Sequence, residues 1–210
     1  MTHTAALDVP FVPGVRLQLA TSEVTSLWMA TETWLHERNV PMPFWAFAWA
    51  GGQALARYLY DTKDEVRGKR VLDFASGSGI VAIAAAHAGA LSVSAVDIDP
   101  FAATACAINA EANGVTLDIV SQDLVGGRLP RVDIVTAGDI WYEAGPADRF
   151  ATWLRRIAAD GVRVLTADPG RAYVPTEGVR ELARYDVPTP VELEGSPVRT
   201  TRVLEILPPA

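Results

Sequence analysis

Residues 71–79 read Val-Leu-Asp-Phe-Ala-Ser-Gly-Ser-Gly and run directly into the Ala-rich stretch Ile80–Ala86. An apolar run closed by a carboxylate, then a loop of small residues, then a helix former makes a strand–loop–helix unit that a ligand can approach closely. A strand of this kind is buried on both faces, so it needs further strands and helices around it. The chain supplies them in alternation. Spacing predicts strands over 70–74, 92–97, 116–120, 132–137 and 162–167, with helices over 52–60, 79–88, 100–113 and 146–159. Asp99-Pro100 is a helix start, an Asp cap followed by Pro in the first turn, and Asn113-Gly114 is a helix end.

Beyond residue 183 the pattern changes to two strands, 183–187 and 198–207, joined by a Pro/Gly-rich connection. The expected fold class is therefore α/β: a mainly parallel, Rossmann-like sheet with helices on both faces and a terminal antiparallel strand pair. Residues 49–210 would form this domain. Residues 1–48 would be a helical extension, with Val24, Leu27, Trp28, Thr31 and Leu35 on one face of a helix over 23–37, serving as lid or structural cover.

Composition narrows the function. A net charge of −7, with no dense Lys/Arg cluster, argues against a nucleic-acid partner and suits a basic protein or amine better. The single Cys106 excludes an internal disulfide and fits a reducing cytoplasm. It reads as a core residue. His3, His36 and His87 are far apart without partners at ligand spacing, so no metal site is expected. No stretch reads as a membrane span or a signal peptide.

Gly77-x-Gly79-x-x-Ala82 also matches the dinucleotide fingerprint. Two features oppose that reading. Asp73 and Phe74 intervene before the small residues, and no basic residue lies between Asp73 and His87. A carboxylate at the strand end repels pyrophosphate and attracts an ammonium group. S-adenosyl-L-methionine, which carries an ammonium and a sulfonium and no phosphate, is the cofactor expected in the loop Ala75, Gly77 and Gly79. Asp97, with Ile98 beside it, ends the second strand where an acid can accept both ribose hydroxyls. Asp99 reads as a helix cap. Asp123 could meet the adenine amino group or simply be solvated. Trp49, in the aromatic run 43–49, is the candidate for a cation–π contact with the sulfonium, on the order of 1–2 kcal/mol when desolvated; packing of the helix onto the sheet explains it as well.

Gly138-Asp139-Ile140-Trp141-Tyr142-Glu143 follows the fourth strand, where ligands of open α/β sheets bind. Asp139 is the candidate to hold an incoming amine by hydrogen bond, and Tyr142 to wall its channel. Trp141 and Glu143 are candidates for substrate contact, with loop packing the alternative for Trp141 and Tyr142 and a plain loop position for Glu143. Asp168-Pro-Gly-Arg171 either shapes the acceptor site or is a tight turn.

These motifs resemble those of the seven-strand methyltransferases. They are most similar to the lysine methyltransferases acting on the beta subunit of electron-transfer flavoprotein. The resemblance spans about residues 43–171. It rests on Pro43-Phe-Trp-Ala with Gly51-Gly-Gln-Ala-Leu-Ala-Arg-Tyr-Leu59, Arg67-Gly-Lys-Arg-Val-Leu-Asp73, Asp97-Ile-Asp-Pro100, Gly138-Asp-Ile-Trp-Tyr142 and Asp168-Pro-Gly-Arg171. It implies a protein-lysine N-methyltransferase using S-adenosyl-L-methionine on that flavoprotein subunit. The alternative is an enzyme acting on another protein, such as a ribosomal protein, or on a small-molecule amine. The family's Asp-x-x-Tyr/Phe element falls on Asp139 and Tyr142, and its donor-binding acids on Asp73 and Asp97. A bacterial, cytoplasmic version is expected. Ala75 departs from the family's usual Gly, a change that costs little if the backbone there has negative φ. Ala50 replaces the Pro usual after the Trp.

Overall fold

The computed structural model describes residues 3–21, 37 and 42–209. The helix predicted over 23–37 lies, apart from its last residue, outside them. Among the described residues, strands β1 (Thr4–Asp8) and β2 (Arg16–Ala20) form an antiparallel hairpin with Leu7 opposite Leu17. The sequence reading had no strands here.

The main sheet contains β3 (Arg70–Phe74), β4 (Ser92–Asp97), β5 (Asp118–Ser121), β6 (Ile134–Gly138), β7 (Arg163–Asp168), β8 (Val179–Pro188) and β9 (Val198–Ile206). Its order is β5-β4-β3-β6-β7-β9-β8. The first five strands are mutually parallel, and β9 inserts antiparallel between β7 and β8. The helices are α1 (Ala50–Asp61), α2 (Ile80–His87), α3 (Pro100–Ala112), α4 (Ala144–Ala159) and the single turn α5 (Val191–Glu194). α5 occupies the connection between β8 and β9, which the sequence had suggested only as a Pro/Gly-rich link.

Alternation along the strands splits the interior into two cores. Val71, Val93, Ala95 and Leu165 face α1 and α2, together with Cys106 of α3 and Val12 and Leu17 of the hairpin. Leu72, Val135 and Val164 face α4, meeting Trp153, Leu154 and Ile157. Fully burying side chains of this size contributes roughly 1.5–3 kcal/mol each. The hairpin is also stitched to α3: Asn109 Oδ1 accepts from Gln18 N at 2.7 Å, and Asn113 Oδ1 from Arg16 N at 2.9 Å.

Asp99 caps α3, accepting from Phe101 N at 2.8 Å with Pro100 in the first turn. Since β3 pairs with β4 on one side and β6 on the other, chain order reverses beside β3. A crevice forms at such a point, beyond the carboxyl ends of the strands.

Candidate active site

A cavity of about 570 Å³ opens at this reversal, bounded by the loop after β3, the ends of β4 and β6, and the aromatic segment before α1. Its size suits a small-molecule site. Carboxylates dominate its charged wall: Asp73, Asp97, Asp99, Asp123 and Asp139 against Arg149 and Arg171.

Asp73 is 1% exposed. Its Oδ1 accepts from Thr136 Oγ1 at 2.8 Å, across the β3–β6 pairing, and its Oδ2 accepts from Ala82 N at 3.2 Å in the first turn of α2. Burial outweighs both bonds and pushes the carboxyl up to about 7. Asp97 Oδ2 accepts from Gly77 N at 2.8 Å, and its Oδ1 from Asp99 N at 3.0 Å. Burial raises this carboxyl as well.

These contacts test the cofactor directly. In a phosphate site, the N–H groups of the loop and helix start are left open for the anion. Here two of them, at Gly77 and Ala82, already carry carboxylates. A pyrophosphate would meet fixed negative charge, whereas an ammonium or sulfonium would relieve it. The residues fit S-adenosylmethionine and disfavour a dinucleotide.

Loop geometry is set by positive φ at Ala75 (53°), Gly77 (51°) and Gly79 (81°). The condition under which Ala75 would cost little, a negative φ, is thereby not met. An alanine in the left-handed region is strained by about 1–2 kcal/mol, which a glycine there would not suffer. Gly79 lies behind the loop instead of on the cavity wall. A Cβ there would come within 2.5 Å of Cys106 Sγ, so its glycine serves helix packing.

Trp49, immediately before α1, lines the cavity and is also packed: its Nε1 donates to Phe44 O at 2.8 Å and its ring meets Phe47. Trp49 therefore packs within the aromatic segment itself and also has a place on the cavity wall. Ile98 lines the cavity at 70% exposure, apolar surface of the kind a flat ring can cover. Asp123 also lies on the wall, next to Gln122, with Oδ1 accepting from Val125 N at 2.9 Å.

Asp139 stands at the end of β6 with φ 55°, a strained conformation for a residue with a Cβ. Its Oδ2 accepts from Gly52 N at 2.6 Å, so the carboxylate sits on the N-terminus of α1, where the helix dipole favours it. Gly51 makes that approach possible: a Cβ there would fall 2.6 Å from Asp139 Oδ2 and 2.5 Å from Ala167 O. Burial pushes the Asp139 carboxyl up to about 6, opposed chiefly by Arg171. Tyr142, 48% exposed, packs against Phe44 on the cavity wall, the ring centres 5.5 Å apart and the planes tilted by 42°.

One expectation of substrate contact is corrected, that for Trp141. The turn at Asp139 drives Trp141 inward: it is 0% exposed, packed with α4, and its Nε1 donates to Thr166 Oγ1 at 2.9 Å. It is a core residue. Glu143 is exposed at the start of α4 and forms no part of the cavity wall.

Two further side chains join the site, Arg171 from a motif with two open readings and Glu194 from a segment the sequence did not single out. Asp168 Oδ1 accepts from Gly170 N and Arg171 N, both at 2.6 Å, a turn that sends Arg171 back to the cavity wall. Arg171 Nη2 donates to Asp139 Oδ1 at 3.3 Å and to Glu194 Oε1 at 3.0 Å, and its guanidinium lies 5.7 Å from the Trp49 ring centre. The Asp168-Pro-Gly-Arg171 motif was the available signal for Arg171. Glu194 carried none.

Residues 53–143 match the family described as "Ribosomal protein L11 methyltransferase (PrmA)". The rat "Electron transfer flavoprotein beta subunit lysine methyltransferase" is 36% identical over 202 residues, covering 93% of this chain and 78% of the rat protein. Its Xenopus laevis counterpart is 39% identical, covering 89% and 77%. Among solved structures, the Thermus thermophilus 16S rRNA N2 G1207 methyltransferase in complex with AdoMet and guanosine superposes with TM-score 0.57 at 19% identity, over 78% of this chain and 44% of that one. The ribosomal protein L11 methylase of Lactobacillus delbrueckii superposes with TM-score 0.54 at 20% identity, over 77% and 81%. At these identities the two structures speak for the fold alone.

Proposed function

The chain belongs to the electron-transfer flavoprotein beta subunit lysine methyltransferases, and from that membership we propose that it transfers methyl groups from S-adenosylmethionine to lysine side chains of that flavoprotein subunit. The observation that carries the reading is Asp139: a buried carboxylate on the cavity wall, fixed by the α1 N-terminus, within the Asp-x-x-Tyr element.

When bound, S-adenosylmethionine supplies a methyl group made electrophilic by its sulfonium. The rest of the chemistry is positioning. Asp73 and Asp97 favour a cationic nucleoside and leave no open amide for phosphate at Gly77 or Ala82. Asp139 accepts a hydrogen bond from the incoming lysine nitrogen and holds it at the cavity wall. Tyr142, packed against Phe44, offers an aromatic surface along which the aliphatic stem lies. The nitrogen must be neutral to attack, and water at the cavity mouth can take its proton, so no dedicated strong base is required.

A second reading keeps the donor and exchanges the acceptor for a ribosomal protein. The L11 methyltransferase match favours it, but that match covers 53–143, largely the donor-binding half of the domain. Incubating the purified protein with labelled donor and each acceptor in turn separates the two. Label in lysines of the flavoprotein subunit alone supports the first reading. Label only in ribosomal protein, or none in either despite donor binding, contradicts it.

A reducing compartment belongs to the same proposal, supported by the single Cys106, which is free and buried. Among the described residues, no helix is long and apolar enough to cross a membrane.

A further inference from the structure

Arg171 stands between two carboxylates that come from distant parts of the chain. Asp139 ends β6, and Glu194 ends the single turn α5 between β8 and β9. The Glu194 side chain is 2% exposed and that of Asp139 is 11% exposed. One Nη2 group serves both, at 3.0 Å to Glu194 and 3.3 Å to Asp139. Glu194 is itself held from other sides: Arg199 Nε approaches its Oε2 at 4.0 Å, and Ala50 N donates to its Oε1 at 3.5 Å. Leu193 of the same turn packs against the aromatic segment before α1.

A lysine nitrogen that binds Asp139 must displace or share this guanidinium. A guanidinium only 21% exposed, stripped of its carboxylate, would be costly. Here it has a second carboxylate already bonded at the shorter distance. We propose that Glu194 is a positioning residue for the acceptor: it takes over Arg171 when the substrate lysine arrives and so frees Asp139 to receive it. The inference rests on Asp139 as the acceptor-binding group.

Charged groups around Asp139 agree with this division. Arg171 acts on it from the turn after β7, Glu194 from α5 and Asp168 from the end of β7. Arg199 faces Glu194, and Arg202, opposite Asp168 in the β7–β9 pairing, acts on Asp168. Arg171 holds the Asp139 carboxyl down, and Glu194 lifts it. Without the Glu194 charge, Arg171 commits to Asp139, which then ionises at lower pH and binds a second cation less readily.

The test is Glu194→Gln, which keeps the shape and an acceptor oxygen while removing the charge, assayed on intact flavoprotein subunit. KM for the protein substrate should rise about tenfold with a much smaller change in kcat. The acid limb of the pH profile should move to lower pH, and affinity for S-adenosylhomocysteine should stay within about threefold. Arg171→Lys, which cannot fork between two carboxylates, should raise the same KM and supplies the readout if Glu194→Gln does not fold. Unchanged KM and pH profile in the folded variants, or a loss confined to donor affinity, overturns the inference while leaving the proposed activity standing. Absence of lysine labelling by the unsubstituted enzyme overturns both.

Discussion

Asp97 Oδ2 lies 2.8 Å from Gly77 N, so a fixed carboxylate occupies the loop amide that a dinucleotide site would keep for phosphate. This one bond ties the end of β4 to the loop after β3 and makes the cavity wall negative where it could have been positive. Asp97→Asn should keep the loop closed while removing the charge and one acceptor for a ribose hydroxyl. Affinity for S-adenosylhomocysteine should fall about tenfold or more by calorimetry, with no gain of NAD binding. Unaltered affinity would remove Asp97 from the donor site.

Protonation of Asp73 should follow the donor. Its folded value of about 7 lies above the 3.8 of an ordinary aspartate, so between about pH 4 and pH 7 the folded chain holds more protons than the unfolded one. Stability of the ligand-free protein is therefore fullest below this window and declines as pH rises through it, by a few kcal/mol at most. Asp139, raised to about 6, acts in the same direction over the lower part of the window. A cation placed near Asp73 lowers its value, so donor binding near pH 6.5 should release protons. Calorimetry in buffers of different ionisation enthalpy measures that release, and Asp73→Asn should abolish it. Equal release in both proteins would show that another group titrates.

The cofactor loop makes two opposite glycine predictions. Ala75→Gly relieves a positive φ of 53° and should raise stability by about 0.5–1 kcal/mol, the relief of strain being partly offset by the entropy of glycine. Gly79→Ala forces both a φ of 81° and a Cβ 2.5 Å from Cys106 Sγ, and should destabilise by more than about 2 kcal/mol. Adding Cys106→Ala should recover part of that loss. Strictly additive effects in a denaturation cycle would contradict the contact.

The sheet and its helices were legible in the sequence because the central strands β3, β6 and β7 are almost wholly buried apolar runs, and each strand from 70 to 168 is bounded by turn residues. Predicted ends for β3 and β4 coincide with those observed, and β5, β6 and β7 lie one or two residues from theirs. The hairpin of β1 and β2 was missed. Its strands are only five residues each, and Leu17 becomes a core residue only through contact with the rest of the domain. Asp73, Asp97 and Asp139 could be picked out because a carboxylate ending a buried strand is conspicuous. Trp141 was misplaced because the inward turn depends on a positive φ at Asp139, which no neighbouring residue type announces. Glu194 was invisible for a different reason. Its partner Arg171 is 23 residues away, and they meet only when β9 folds back between β7 and β8.

The account centres on Asp139 as the group that receives the substrate lysine, separate from the acids of the donor pocket. The most direct test is Asp139→Asn, with methylation of the flavoprotein subunit followed by intact-mass spectrometry and S-adenosylhomocysteine affinity by calorimetry. Methylation should fall at least about 100-fold while donor-product affinity stays within a few-fold. Full methylation, or a loss explained entirely by weaker donor binding, would contradict the account.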